Sequence, residues 1–144
     1  MEVSIEITKG DVLAEVSKTT AYEGAHAGAF DNTFAKPEDK EMLERSWNEG
    51  VAFITDALKR YAVSVLNNAT GYKAALFMPC NYDSNMTALM NQAAFDYLCN
   101  FIIGKWLEML SSDKAASYAN AATAQLAEMR SLLLHRVAPK RPES

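Results

Sequence analysis

Hydrophobic residues recur every three or four positions along much of the chain, a spacing that predicts amphipathic helices. The longest such stripe follows Pro37, whose missing N–H suits the first position of a helix. Its members are Leu43, Trp47, Val51, Ile54, Leu58, Tyr61 and Val65. We therefore predict a long second helix that begins at Pro37 and follows this stripe.

A shorter first helix is predicted upstream. Thr8 is followed three residues later by Asp11, which resembles a capping box with Asp in the usual Glu position. Apolar residues then share one face to about Thr20. Residues 21–36 are rich in Gly, Ala and Asn and are predicted to form a loop.

The helical period fails between residues 63 and 83. Asn67, Asn68 and Gly71 are turn-forming residues, and Pro79 interrupts the segment that follows them. Two structures fit this stretch: a short β-hairpin, or an extended loop that covers the helices. Aromatic and methionine side chains on a projecting segment also suit a protein contact. The interface candidates here are Leu76, Phe77 and Met78.

The third predicted helix begins near Asp83 or Ser84 and runs to about Leu110. It carries two apolar stripes, so we expect it to be central in the bundle, or to be central and also part of a subunit interface. Trp106 near its end is either a core residue or an interface anchor, since tryptophan is enriched at binding hot spots.

A fourth helix is predicted from about Asp113 to His135, with Ser111 or Ser112 as its cap. Its first half is rich in alanine, which permits close approach of a neighbouring helix. Together these elements predict a mainly α fold, a four-helix bundle-like domain over residues 1–136. The stretch between the second and third helices would be an irregular or β-hairpin insert.

Charge is distributed unevenly. The 144 residues carry a net charge of −4, but the segment from Arg130 to the C-terminus carries +3 and the remainder carries −7. An acidic body argues against general nucleic-acid binding, which needs a basic face. The basic, proline-bearing end predicts an extended arm over residues 137–144 that docks on a partner. Its contact candidates are Arg136, Lys140 and Arg141.

Residues that carry chemistry are sparse. His26, His135, Cys80 and Cys99 are far apart in sequence and show no metal-ligand spacing, so neither a metal nor a cofactor is expected. No nucleophile elbow, phosphate loop or dinucleotide fingerprint is present. The sequence therefore predicts a protein that is not an enzyme. The most apolar helix contains three charged residues, which argues against a membrane span.

The order of these segments resembles the tailed-phage head–tail connector (adaptor) family. The segment ITKGDVLAEV resembles the short helix that begins the domain, and DKEMLERSWNEGVAFITDALKRYA resembles the long second helix. QAAFDYLCNFIIGKWLEML resembles the apolar helix with its aromatic end. YANAATAQLAEMRSLLLHRVAPKRP resembles the final helix and its basic, proline-bearing tail.

This resemblance implies a structural protein of the virion, assembled in the host cytoplasm. The chain would form a ring with copies of itself in the phage neck and join the portal and head to the tail. Its partners would be the portal protein and a downstream neck or tail protein, and DNA would pass through the channel without specific binding. The loop at 21–36 and the insert at 63–83 exceed a minimal connector, which leaves open a stopper or tail-completion role.

A second hypothesis is a small helical regulatory or adaptor protein linked to nucleic acid. It would need two helices joined by a short turn and a basic recognition face. The basic residues here are scattered or lie in the tail, which counts against it. An enzyme of unrecognised type is the third alternative.

Overall fold

The computed structural model describes residues 1–26, 37–109 and 113–137. The elements, in chain order, are β1 (Glu2–Thr8), α1 (Lys9–His26), α2 (Pro37–Leu58), β2 (Ala62–Asn67), β3 (Gly71–Phe77), α3 (Met86–Met109) and α4 (Ala115–Leu133). The three strands form one sheet. The prediction of a mainly α four-helix bundle is therefore wrong, because the fold is mixed, with helices packed on a sheet.

The sheet is antiparallel, and its strand order is β1-β3-β2. β1 alternates apolar and polar residues, so one face of the strand is buried and the other is exposed. Val3, Ile5 and Ile7 of β1 face the core together with alternate residues of β3. Because of this alternation, β1 contributes its three apolar side chains to the sheet face against which the helices pack.

α3 is the central helix of the core. It packs against α1, α2, α4 and β1, which explains its two apolar stripes. Gly104 on α3 permits the close approach of α4, because a Cβ there would lie 3.3 Å from the backbone nitrogen of Ala119. The alanine-rich half of α4 packs at this point. None of the helices within the described ranges is long and apolar enough to cross a bilayer.

The stretch between α2 and α3 is a β-hairpin that belongs to the larger sheet. Asn68 and Gly71 bond to each other through both backbone N–H groups, with N···O distances of 3.0 and 3.2 Å, and this closes the turn between β2 and β3. α2 ends at Leu58. The last members of the predicted helical stripe, Tyr61 and Val65, therefore lie outside the helix, and Val65 belongs to β2.

The outer edge of β1 is closed by a side chain from α3. Asn91 Oδ1 accepts a hydrogen bond from the Glu6 backbone N–H at 2.7 Å, and its Nδ2 donates to the Ser4 carbonyl oxygen at 3.2 Å. The amide thus occupies the place that a further strand would take. β1 is an edge strand whose free backbone groups are partly satisfied within the chain.

Candidate interaction site

The residues that follow α4 are tied to the rest of the domain by Arg136. Arg136 donates hydrogen bonds from Nη1 to the carbonyl oxygens of Leu133 at 2.8 Å and His135 at 3.0 Å. Its Nη2 donates to the Tyr61 hydroxyl oxygen at 3.0 Å, and the guanidinium lies 5.8 Å from the centre of the Tyr61 ring. Arg136, predicted to contact acidic groups of a partner, therefore also joins the end of α4 to the residues that follow α2.

The backbone beyond α4 is held as well. Arg136 forms an isolated antiparallel bridge with Tyr82, and the Val137 N–H donates to the Asn81 carbonyl oxygen at 2.8 Å. The first residue of the predicted arm is therefore paired in an extended conformation. The other two predicted contact residues of the arm, Lys140 and Arg141, lie outside the described residues.

The three interface candidates of the hairpin divide between core and surface. Leu76 and Met78 are fully buried, whereas Phe77 is 65% exposed on the outer face of the sheet. The Phe77 N–H donates to the Tyr61 carbonyl oxygen at 2.8 Å. Tyr61 is therefore bonded to Phe77 through its backbone carbonyl and to Arg136 through its side chain, and we call these three residues the arm anchor.

Trp106, the remaining sequence-predicted candidate, is a residue of α3, and it is buried in the core and only 7% exposed. In a single copy of the chain, it is therefore part of the hydrophobic core.

A groove on the helical side of the protein escaped the sequence analysis. α2 and α4 both pack against α3, and a groove of about 280 Å³ is lined by residues of all three helices. Its lining is mostly apolar and includes Phe53, Tyr97, Phe101, Gly104 and Leu126. The available signal was Phe53, a large apolar residue that does not belong to the buried stripe of α2.

The outer edge of β2 is the second surface that the sequence analysis missed. Val63, Val65 and Leu66 are all exposed, although each is apolar. The available signal was the sequence AVSVLN, which is rich in β-branched residues and carries no charge. Native proteins often protect an exposed edge strand with charged residues or proline, and β2 contains neither.

The titratable groups in the described ranges include one strongly shifted thiol and one histidine–carboxylate pair. No group of three or more His, Cys, Asp or Glu residues is placed there to hold a metal ion. Burial raises the pKa of the Cys99 thiol to about 12, and the carboxylates of Glu15 and Asp96 add to the shift. Cys80 is exposed. His135 Nδ1, one residue before Arg136, lies 3.6 Å from an Asp83 carboxylate oxygen.

Comparison with protein-family models, curated proteins and solved structures gave no match for this chain.

Proposed function

We propose that this chain is a structural subunit of a tailed-phage neck, where it forms a ring that joins the portal to the tail. The proposal combines the resemblance of its segments to head–tail connectors with a surface suited to protein contacts. The observation that carries it is the arm anchor. The basic segment has a fixed, extended start at Arg136 and Val137, and Tyr61, which holds Arg136, is also bonded to the exposed Phe77.

Anchoring of this kind has an energetic consequence. A segment whose first residues are already ordered loses less conformational entropy when it docks on a neighbour. Two prolines at positions 139 and 142 restrict the backbone further. The arm would then lie on an adjacent subunit or on the portal, with Lys140 and Arg141 meeting acidic side chains.

The charges on the described surface also favour a structural role over a nucleic-acid-binding one. Lys59, Lys73 and Lys105 each lie within 4 Å of a carboxylate, at 3.1, 3.1 and 3.8 Å. Arg130 is 4.0 Å from Asp56. Basic side chains that are paired with carboxylates in this way contribute little to a basic face. Such a surface suits a channel through which DNA slides without being held.

Removal of residues 138–144 is expected to impair assembly without destabilising the domain. The deletion leaves the hydrogen bonds of Arg136 and Val137 in place, so the melting temperature should change by no more than about 2 °C. Ring formation and portal binding should fall at least about tenfold, because the docking segment is gone. Native mass spectrometry and negative-stain microscopy, with and without portal protein, measure ring formation and portal binding.

Lys59→Ala is the matched control for the loss of positive charge, since Lys59 is exposed and its ion pair with Asp56 is worth little. It should assemble like the unaltered chain. A truncated domain that still forms rings and binds portal normally would remove the arm from the proposal. One that unfolds would show that the arm is packed structure.

A further inference from the structure

The two edges of the sheet are not equivalent. The outer edge of β1 is bonded to Asn91, as described above. In the described part of the chain, no hydrogen bond reaches the outward backbone groups of β2, although the Asn67 side chain bonds to Trp47 and Asn48. β2 therefore presents a row of backbone N–H and C=O groups that a further strand can pair with.

The hairpin fixes which residues point outward. Asn68 and Gly71 form a mutually bonded pair, and bonded and non-bonded pairs alternate along an antiparallel ladder. Leu66 therefore bonds to β3 opposite Lys73, and Ser64 bonds to β3 opposite Ala75. The backbone groups of Val65 and Asn67 consequently point away from β3, toward the free edge.

The side chains of β2 leave this edge unprotected. Val63 is 70% exposed, Leu66 is 57% exposed and Val65 is 40% exposed, and no residue of the strand is charged. A bulge between Ala62 and Ser64 disturbs only the end of the strand that follows α2. Charged side chains, especially lysine, and proline are among the devices by which native proteins protect an edge strand, and β2 has neither.

We infer that two copies of this chain pair through β2 to form a continuous six-stranded sheet. The two-fold axis passes beside Val65, so that the backbone of Val65 in one copy bonds to Val65 in the other. This register places the outward groups of both strands opposite each other. It also sets Leu66 beside Ser64 of the second copy and Val65 beside Val65.

A second copy is the occupant that this edge fits best. A charged partner strand would leave its charge beside apolar side chains, whereas AVSVLN meets another uncharged, partly apolar strand. The strand is also self-complementary, because a two-fold axis at Val65 puts outward-pointing residues opposite outward-pointing residues. A single strand pair buries little area, so the dimer is expected to be weak and to dissociate on dilution.

The inference concerns the free protein and does not rest on the neck proposal. A two-fold contact closes after two copies, whereas a ring is built from repeated head-to-tail contacts. Pairing through β2 would cover an aggregation-prone edge in subunits that have not yet been assembled. A failure to dimerise would therefore leave the arm and portal tests unaffected.

Residue-resolved amide exchange tests the inference on the unaltered chain. Between about 10 µM and about 1 mM, sedimentation velocity should show a shift from monomer to dimer. Over the same range, the Val65 amide should exchange at least about tenfold more slowly, since its N–H becomes bonded. The amides of Ser64 and Leu66, which bond to β3, should be protected at both concentrations.

Three results would overturn the inference. One is a monomer at every concentration, and another is a dimer in which Val65 exchange does not depend on concentration. The third is protection of Val65 in the monomer, which would mean that another part of the same chain covers the edge.

A charged substitution provides the second test. Val65→Lys places two like charges directly opposite each other across the two-fold axis, so the dissociation constant should rise at least about tenfold. Leu89→Lys is the matched control, because Leu89 is an exposed leucine on α3, 51% accessible, and should dimerise normally. Equal dimerisation of both variants would contradict the pairing. If Val65→Lys does not fold, the amide exchange of the unaltered chain still decides.

Discussion

Alanine in place of Gly71 is expected to lower the free energy of unfolding by more than about 3 kcal/mol. Gly71 opens β3 with a φ of +156°, a conformation that side chains rarely adopt. A Cβ at this position would collide with the Ile7 carbonyl oxygen on β1. Because that oxygen belongs to the backbone of the paired strand, the strain can be relieved only by moving β1 away from β3.

Gly10→Ala is the matched control. Gly10 lies in the first turn of α1, and a Cβ there meets nothing within 4 Å. Alanine is the better helix former, so this change should be neutral or stabilise the protein by up to about 1 kcal/mol. Urea unfolding followed by circular dichroism measures both variants. A Gly71→Ala protein as stable as the Gly10→Ala protein would contradict the pairing of β1 with β3.

The second large effect is expected for Trp47→Ala, at about 3–5 kcal/mol of destabilisation. Trp47 is fully buried on α2, and its Nε1 donates to Asn67 Oδ1 at 2.8 Å. Its ring also lies 5.6 Å from Lys9 Nζ, and Lys9 is paired with Glu44. Removal of the indole therefore leaves a cavity, loosens the end of β2 and deprives a largely buried lysine of one contact.

Phe53→Ala on the same helix is the control, because Phe53 is 47% exposed and borders the groove. We expect a change in unfolding free energy within about 1 kcal/mol. Thermal and chemical unfolding of both variants compare the two positions directly. Similar losses of unfolding free energy at Trp47 and Phe53 would contradict the placement of Trp47 on the buried face of α2.

The helices were largely predictable because their apolar residues repeat at the helical period over many turns. The start of α2 at Pro37 agrees with the prediction, and α3 lies within three residues of its predicted bounds. α1 is longer than predicted and ends at His26, which leaves only residues 27–36 between α1 and α2, outside the described ranges. α4 begins at Ala115, and its predicted cap residues Ser111 and Ser112 also lie outside the described ranges.

The sheet was predicted only in part, as the β-hairpin alternative for residues 63–83, and there are two physical reasons for this. The spacing of Leu58, Tyr61 and Val65 fits a helix, but a short apolar run fits a strand equally well. Only the pairing with β3 decides between them, and pairing is a long-range property. β1 had a clearer signal, since Val3, Ile5 and Ile7 alternate with polar residues, as in a half-buried strand. The capping pattern at Thr8 predicted the start of α1, but the alternation before it was not recognised as a strand.

The candidate site was predictable only in part. A basic arm was predicted from Arg136, Lys140 and Arg141, because charge and proline content are visible in sequence, and this stays a prediction. The contacts that hold its start, from Arg136 to Tyr61, join residues 75 positions apart and follow only from the fold. Burial of Leu76 and Met78 beside an exposed Phe77 likewise follows from the strand alternation, which the loop alternative did not contain.

Quantitative mass spectrometry of purified tailed-phage particles, produced by the strain whose genome carries this chain, tests the neck proposal most directly. The proposal predicts the chain in intact particles at a few to a few tens of copies each, in a fixed ratio to the portal protein. Its absence from intact particles, together with its presence in the soluble lysate, would contradict a structural role in the virion.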